Sequence, residues 1–231
     1  NKIINGFRLA IQKGTEGTIG IALNPTGTFG NYLERMQDPN IYDYKINDQQ
    51  AEFWRNTFDG DIPYPIRSFY EAYNKILKGS PFFNPELEPR LNLWGEQMKG
   101  PEQGVFSPVK ILNQKGYKRV DDWLQTYGLG LSMPRNKIDG IAMTSQQYNA
   151  LIMFMNEDND GDGISDMLQE MDAEFDSLEW DTLSVGSQLG ELRAVKTKYF
   201  EIGKNKLYSL YPELKNSVDN LKEKIDKTGK R

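Results

Sequence analysis

The chain contains no cysteine and no histidine. The first absence excludes disulfides and thiolate nucleophiles, and together they remove most zinc sites and the commonest general base at neutral pH. Catalysis would have to rest on carboxylates, Lys, Tyr or Ser/Thr. Also absent is any apolar run near the roughly 20 residues that span a bilayer, or a signal-peptide-like stretch at the amino terminus. No glycine-rich phosphate loop is present: Gly14, Gly17 and Gly20 recur every third residue without a following Lys-Ser/Thr. Among 33 acidic residues no spacing singles out a pair for glycoside cleavage. The case for an enzyme is weak.

What remains is a chain of 231 residues with 38% hydrophobic content, enough for one large or two small domains with a real core. Its first residue is Asn1, which fits a fragment of a longer protein. The net charge of −5 is unevenly spread. Glu157 to Asp181 holds eleven acids and no base, whereas Lys196 to Arg231 holds ten bases and five acids. The basic carboxy-terminal helices allow contact with DNA or phospholipid, although solvated helix faces have the same composition.

The periodicity predicts a mainly α fold, an irregular helical assembly with long extended Pro/Gly-rich wrapping segments. Residues 1–45 read as an extended arm, broken by Gly14, Gly17, Gly20, Gly27 and Gly30, with a short strand at Thr18–Leu23. Residues 46–156 read as helices around a central Pro/Gly-rich segment. After an Asp48 cap, Ala51, Phe53, Trp54 and Phe58 share a face, and Ile66, Phe69, Tyr70, Tyr73, Ile76 and Leu77 repeat the pattern after Pro65. Thr144-Ser-Gln-Gln147 reads as a capping box before Tyr148, Leu151, Ile152 and Met155. Residues 157–231 read as an acidic loop followed by helices over Ile164–Phe175, Gly190–Tyr211 and, after Pro212, Glu213–Asp226.

Between Pro81 and Ile152 the pattern is not periodic. Pro81, Pro85 and Pro89 precede Leu91, Leu93 and Trp94, and Gly95, Gly100 and Gly104 follow. Such a segment reads as a long ordered loop without its own hydrogen-bond ladder, wrapped on a partner surface. Leu91, Trp94, Met98 and Phe106 are its candidate partner-binding residues, exposed unless a neighbour or the chain's own helices cover them.

This stretch carries a resemblance. Leu91-Asn-Leu-Trp-Gly-Glu-Gln-Met98, Ser107-Pro108, Asp121-Asp-Trp-Leu124, Met133-Pro-Arg-Asn-Lys-Ile138 and Met143-Thr-Ser-Gln-Gln-Tyr148 occur in that order. Leu178-Glu-Trp-Asp-Thr-Leu183 and Leu210-Tyr-Pro-Glu-Leu214 extend it. Together they resemble the carboxy-terminal region of large internal virion proteins of tailed bacteriophages, over roughly Phe53 to Leu214. The resemblance implies a non-enzymatic structural component of a virion, inside the capsid or near portal and tail. It implies homo-oligomeric assembly with other virion proteins (portal, tail or sister subunits), and possible ejection into the host envelope or cytoplasm with the genome. The alternative readings are a fragment of a virion-associated enzyme such as a peptidoglycan hydrolase, and a calcium-stabilised binding module.

One motif carries chemistry of its own. Asp158-Asn-Asp-Gly-Asp-Gly-Ile-Ser-Asp166 places carboxylates at positions 1, 3, 5 and 9 of a loop, with Gly163 at position 6. Alternating oxygen ligands around a sharp glycine turn suit a hard, seven-coordinate ion such as Ca²⁺. Asp158, Asp160, Asp162 and Asp166, with the carbonyl of Ile164, are the candidate ligands. The loop resembles those of EF-hands, dockerins and thrombospondin type 3 segments. It departs from the EF-hand pattern in having Gln169 at position 12, with Glu170 one residue late, and Ile164 at position 7 rather than 8. The other reading is an acidic, solvated connector.

Overall fold

The structure is a computed structural model that describes residues 41–58, 62–78, 87–98 and 118–228. The fold is mainly helical. In chain order the described elements are α1 (Asp48–Phe58), α2 (Tyr64–Lys78), α3 (Arg119–Thr126), strands β1 (Lys137–Ile138) and β2 (Ile141–Ala142), α4 (Ser145–Met155), α5 (Asp166–Phe175), a 3-10 turn (Trp180–Thr182), α6 (Val185–Leu210) and α7 (Pro212–Thr228). The expected arm over 1–40 and Phe106 lie outside the described residues.

Helix α4 is the hub because Tyr148, Leu151, Ile152 and Met155 line one buried face. Leu151, Ile152 and Met155 have no exposed surface, and Tyr148 is buried beside them. Around it close Met167 and Met171 of α5, four residues apart, and Leu192 and Val195 of α6, three apart, with Leu207 further along α6. This core takes residues from Leu91 to Val218, so it crosses position 157, where the acidic loop begins. A smaller cluster of Ile46, Ala51 and Ile62, with Trp54, Ile66 and Tyr70 packed on it, joins α1 to α2.

The start of α4 follows the expected chemistry. The Thr144 hydroxyl accepts from the Gln147 amide at 3.1 Å, and the Gln147 side chain accepts from the Thr144 amide at 3.0 Å. At α1 the cap differs from the sequence expectation: Asn47, not Asp48, performs it. The Asn47 carboxamide accepts from the Gln50 amide at 2.8 Å, and the Gln50 side chain accepts from the Asn47 amide at 3.2 Å. Asp48 is thereby free to accept from the Thr144 hydroxyl at 2.6 Å, and its own amide donates to Gln146 Oε1 at 3.1 Å. The two helix starts interlock. Thr144→Ala therefore removes a cap and the donor to a carboxylate at once, and should cost about 2 kcal/mol, with Thr144→Ser keeping most of it. A lower denaturant midpoint at unchanged slope is the expected readout.

Segment 87–98 does carry a backbone ladder, contrary to the expectation for it. Arg90 N donates to Ile41 O and Ile41 N to Met98 O, while Met98 N donates to Arg90 O. Asn92 closes the tip: its side-chain oxygen accepts from the amides of Trp94 and Glu96, each at 3.0 Å, and Gly95 supplies the positive φ of 76°. The loop wraps the chain's own hub. Asn149 on α4 and Asn156, which caps its carboxy terminus, donate to the carbonyls of Pro89 and Leu93, both at 2.8 Å. These contacts satisfy backbone groups that the irregular path leaves without helix or sheet partners.

Asp139-Gly140 makes the two-residue turn of the β1–β2 hairpin, with φ of 46° and 95°. Positive φ at both positions is what a twist-matched hairpin turn requires, and Asp and Gly tolerate it. Helix α6 starts earlier than the periodicity predicts, at Val185 rather than Gly190, because the Ser184 hydroxyl caps it through the Ser187 amide.

Candidate metal centre

Residues 156–165 join α4 to α5, and the loop's own carboxylates fold it. Asp158 accepts from Gly161 N at 2.6 Å and Gly163 N at 2.8 Å, which pulls the middle of the loop back onto its first residue. Gly161 and Gly163 turn with φ of 78° and 88°, where a side chain would be strained. Asp166, the first residue of α5, accepts from the Asn159 side chain at 2.6 Å and the Asn159 amide at 3.1 Å. Amide donation, first from Gly163, holds the Asp158 carboxyl below its usual range; for Asp166 the Asn159 side chain and then its backbone do the same.

Oxygens of Asp158, Asp160 and Asp166 lie within 4.8 Å of one another. Two ligands each 2.3–2.6 Å from one calcium ion stand at most about 5 Å apart, so these three carboxylates fit a shared ion. Asp162 is not in this group: its carboxylate accepts from the Ile164 amide at 2.8 Å. The Ile164 carbonyl lies 3.5 Å from Gln169 Nε2, which also reaches the Asp160 carboxylate at 3.3 Å. Positions 3, 7 and 12 of the loop thus converge through Gln169, a residue that the alternation of acids leaves without a role. Rotation of its carboxamide would present an oxygen to the same point.

The sides of this site are supplied by α6. Lys206 pairs with Glu157, ahead of the loop, and Glu170, just past it, is held by Lys198 at 2.5 Å and by the Tyr199 hydroxyl at 3.0 Å. Burial and then this hydrogen bond push the Tyr199 phenol up to about 12. An open concavity of about 500 Å³ is lined by Asn159, Asp160, Asp166, Gln169, Glu170, Ala173 and Tyr199. Glu170 is therefore committed to α6 instead of standing in for the absent carboxylate at position 12.

Of the candidate partner-binding residues, Leu91 is buried in the main core and Trp94 is half-buried against it. The Trp94 indole donates to Asp121 at 3.1 Å, and Lys118 lies over its ring at 5.1 Å. Met98 is half-buried at the end of the ladder. In the carboxy-terminal helices Lys198, Lys204, Lys206 and Lys222 are matched by Glu170, Asp139 and Glu157 within the fold, so their charge is not displayed as one basic field. Among the described residues no helix is long and apolar enough to cross a membrane. Comparison of the chain with protein-family models, curated proteins and solved structures returns no match.

Proposed function

We propose that this chain is a non-enzymatic structural component of a bacteriophage virion, an internal or portal- and tail-associated protein, in which the acidic loop binds Ca²⁺ as a structural clip. The observation that supports the clip is the meeting of Asp158, Asp160 and Asp166 oxygens within 4.8 Å at a turn between two helices of one core. Asp162, on turning from the Ile164 amide, and the Ile164 carbonyl would complete the ligand set, and the ion would supply charge neutralisation among carboxylates that otherwise repel. A lone loop of this kind fixes a turn instead of sensing calcium, because sensing needs a paired hand and a groove that opens. The virion role rests on the motif order from Leu91 to Leu214. Most of those motifs build the packed body around α4, which fits a construction part.

Two measurements test the reading separately. Calorimetric titration with Ca²⁺ should give a saturable heat and a calcium-dependent rise in melting temperature. Calcium at a hundred times Kd adds about 2.7 kcal/mol. The pair Asp160→Ala and Asp162→Ala should abolish both effects, and a wild-type chain showing neither is an acidic connector only. Mass spectrometry of purified, genome-filled particles should find the chain. Its absence there, or a lytic band on a peptidoglycan zymogram that is lost on changing one acid, removes the virion-structural reading.

A further inference from the structure

The carboxy-terminal helix meets the body at a shared carboxylate, a tight turn and an apolar seat. Lys204 of α6 and Lys222 of α7 both lie 3.2 Å from Asp139 at the hairpin tip, and the Tyr208 hydroxyl of α6 donates to the same carboxylate at 3.2 Å. In one continuous helix residues 204 and 222 would stand about 27 Å apart, so the chain must reverse between them. The reversal is a single residue. Tyr211 N still donates to Leu207 O as the last bond of α6, while Tyr211 O accepts from Leu214 N as the first of α7, and its φ of −122° and ψ of 74° break the helix. Pro212 enforces this break: it has no amide proton for the ladder, its ring clashes with the preceding turn, and it pushes Tyr211 out of helical geometry.

Beyond the reversal α7 lies in a seat. Leu214 and Val218 are almost fully buried, and a Leu221 methyl sits 2.9 Å from where a Cβ on Gly140 would be, so the bare backbone of Gly140 is part of the seat. From Lys222 to Lys227 the helix is exposed. The apolar contact with the seat lies in the first three turns of a helix attached by a one-residue hinge, and short hinges are where identical elements exchange between copies.

We propose that α7 is an exchangeable arm: when the chain straightens at Tyr211–Pro212, α7 leaves its own seat and occupies the same seat, with Lys222 on Asp139, in a second copy of this chain. The occupant needs no new complementarity, since the seat already fits this helix in charge and shape. Pro212 biases the equilibrium toward the folded-back monomer. The Asp139 node sets the rate: it must open for exchange but is remade in the dimer, so it counts almost equally on both sides. The inference does not depend on calcium or on a virion role.

The test uses the full chain, with size-exclusion chromatography and light scattering over a concentration series. Pro212→Ala should raise the dimerisation constant on the order of 10,000-fold over the unchanged chain, since it lifts a proline penalty of about 100-fold from each of the dimer's two straight helices. Adding Val218→Asp should return that chain to monomer, because a carboxylate in the apolar seat unseats α7 in the closed and exchanged forms alike and leaves the open single chain; Leu221→Asp, at the edge of the seat, does the same with less disturbance of the body. Adding Asp139→Asn should speed the mixing of tagged and untagged Pro212→Ala dimers at least tenfold with little change in dimer fraction. A Pro212→Ala chain that remains monomeric at hundreds of micromolar overturns the proposal, as does a dimer that survives both Val218→Asp and Leu221→Asp.

Discussion

Gly203→Val should destabilise the chain by about 3 kcal/mol or more. Gly203 lies on α6 where that helix crosses α4, and a Cβ built there would stand 3.1 Å from Met155 Cγ, 3.3 Å from the Leu151 carbonyl oxygen and 3.3 Å from the Met155 amide nitrogen. The last two are backbone atoms of the hub helix and cannot move aside as a flexible side chain can. Valine adds two γ-carbons to an already crowded point, and its single preferred rotamer in a helix leaves no escape. Alanine at the same site gains helix propensity of about 1 kcal/mol, which offsets part of its clash, so Gly203→Ala should fall well short of the valine effect. Gly190→Ala supplies the opposite sign. That glycine is exposed on the same helix with nothing within 4 Å of a built Cβ, and alanine there should stabilise by about 0.5–1 kcal/mol. Denaturant midpoints of the three variants measure the difference. Equal effects at 203 and 190 would mean that α4 and α6 do not cross this closely.

How much of this was legible in the sequence depends on how far apart the interacting residues are. The capping box at Thr144 spans three residues, and everything it needs is visible in Thr144, Gln147 and the apolar run behind them. Helix α6 begins five residues before its visible period, since Gly186 and Gly190 thin the apolar stripe while Ser184 caps it. Gly203 reads as a weak point in a helix until α4 is laid across it. The same holds for 87–98. Its prolines and glycines announce an irregular path, but the surface it wraps is set by Asn149 meeting Pro89 and Asn156 meeting Leu93, pairs 60 and 63 residues apart. Its backbone ladder was equally hidden, because it pairs partly with itself and partly with the extended residues 41–43, about fifty positions earlier. In the acidic loop, the order of carboxylates is local and readable. The turning of Asp162 onto the Ile164 amide, the bridging by Gln169 and the capture of Glu157 and Glu170 by α6 depend on side-chain direction and on a helix whose contacting residues lie 28 to 49 positions away in the chain.

Leu151→Ala should cost about 2–5 kcal/mol, against roughly 5–15 kcal/mol of total stability for a domain of ordinary size. Leu151 has no exposed surface and sits at the middle of α4, with its own carbonyl against Gly203. The packing that makes the glycine crossing close also limits collapse around the hole an alanine leaves, so the upper half of the range is expected. By contrast Leu178→Ala, at a side chain 99% exposed, should fall within about 0.5 kcal/mol of wild type. The variant also asks whether the small cluster of Ile46, Ala51 and Ile62 melts with the main core. Asp48 on Thr144, and the Ser145 amide on the Ile46 carbonyl at 3.2 Å, tie the two through the start of α4. Trp54 reports on the small cluster and Trp94, Trp123 and Trp180 on the main one, and subtracting the signal of a Trp54→Phe chain separates the two groups. If the ties are as tight as these contacts make them, Leu151→Ala lowers both transitions together. A Trp54 transition that stays in place while the main-core transition drops would show that α1 and α2 fold on their own account.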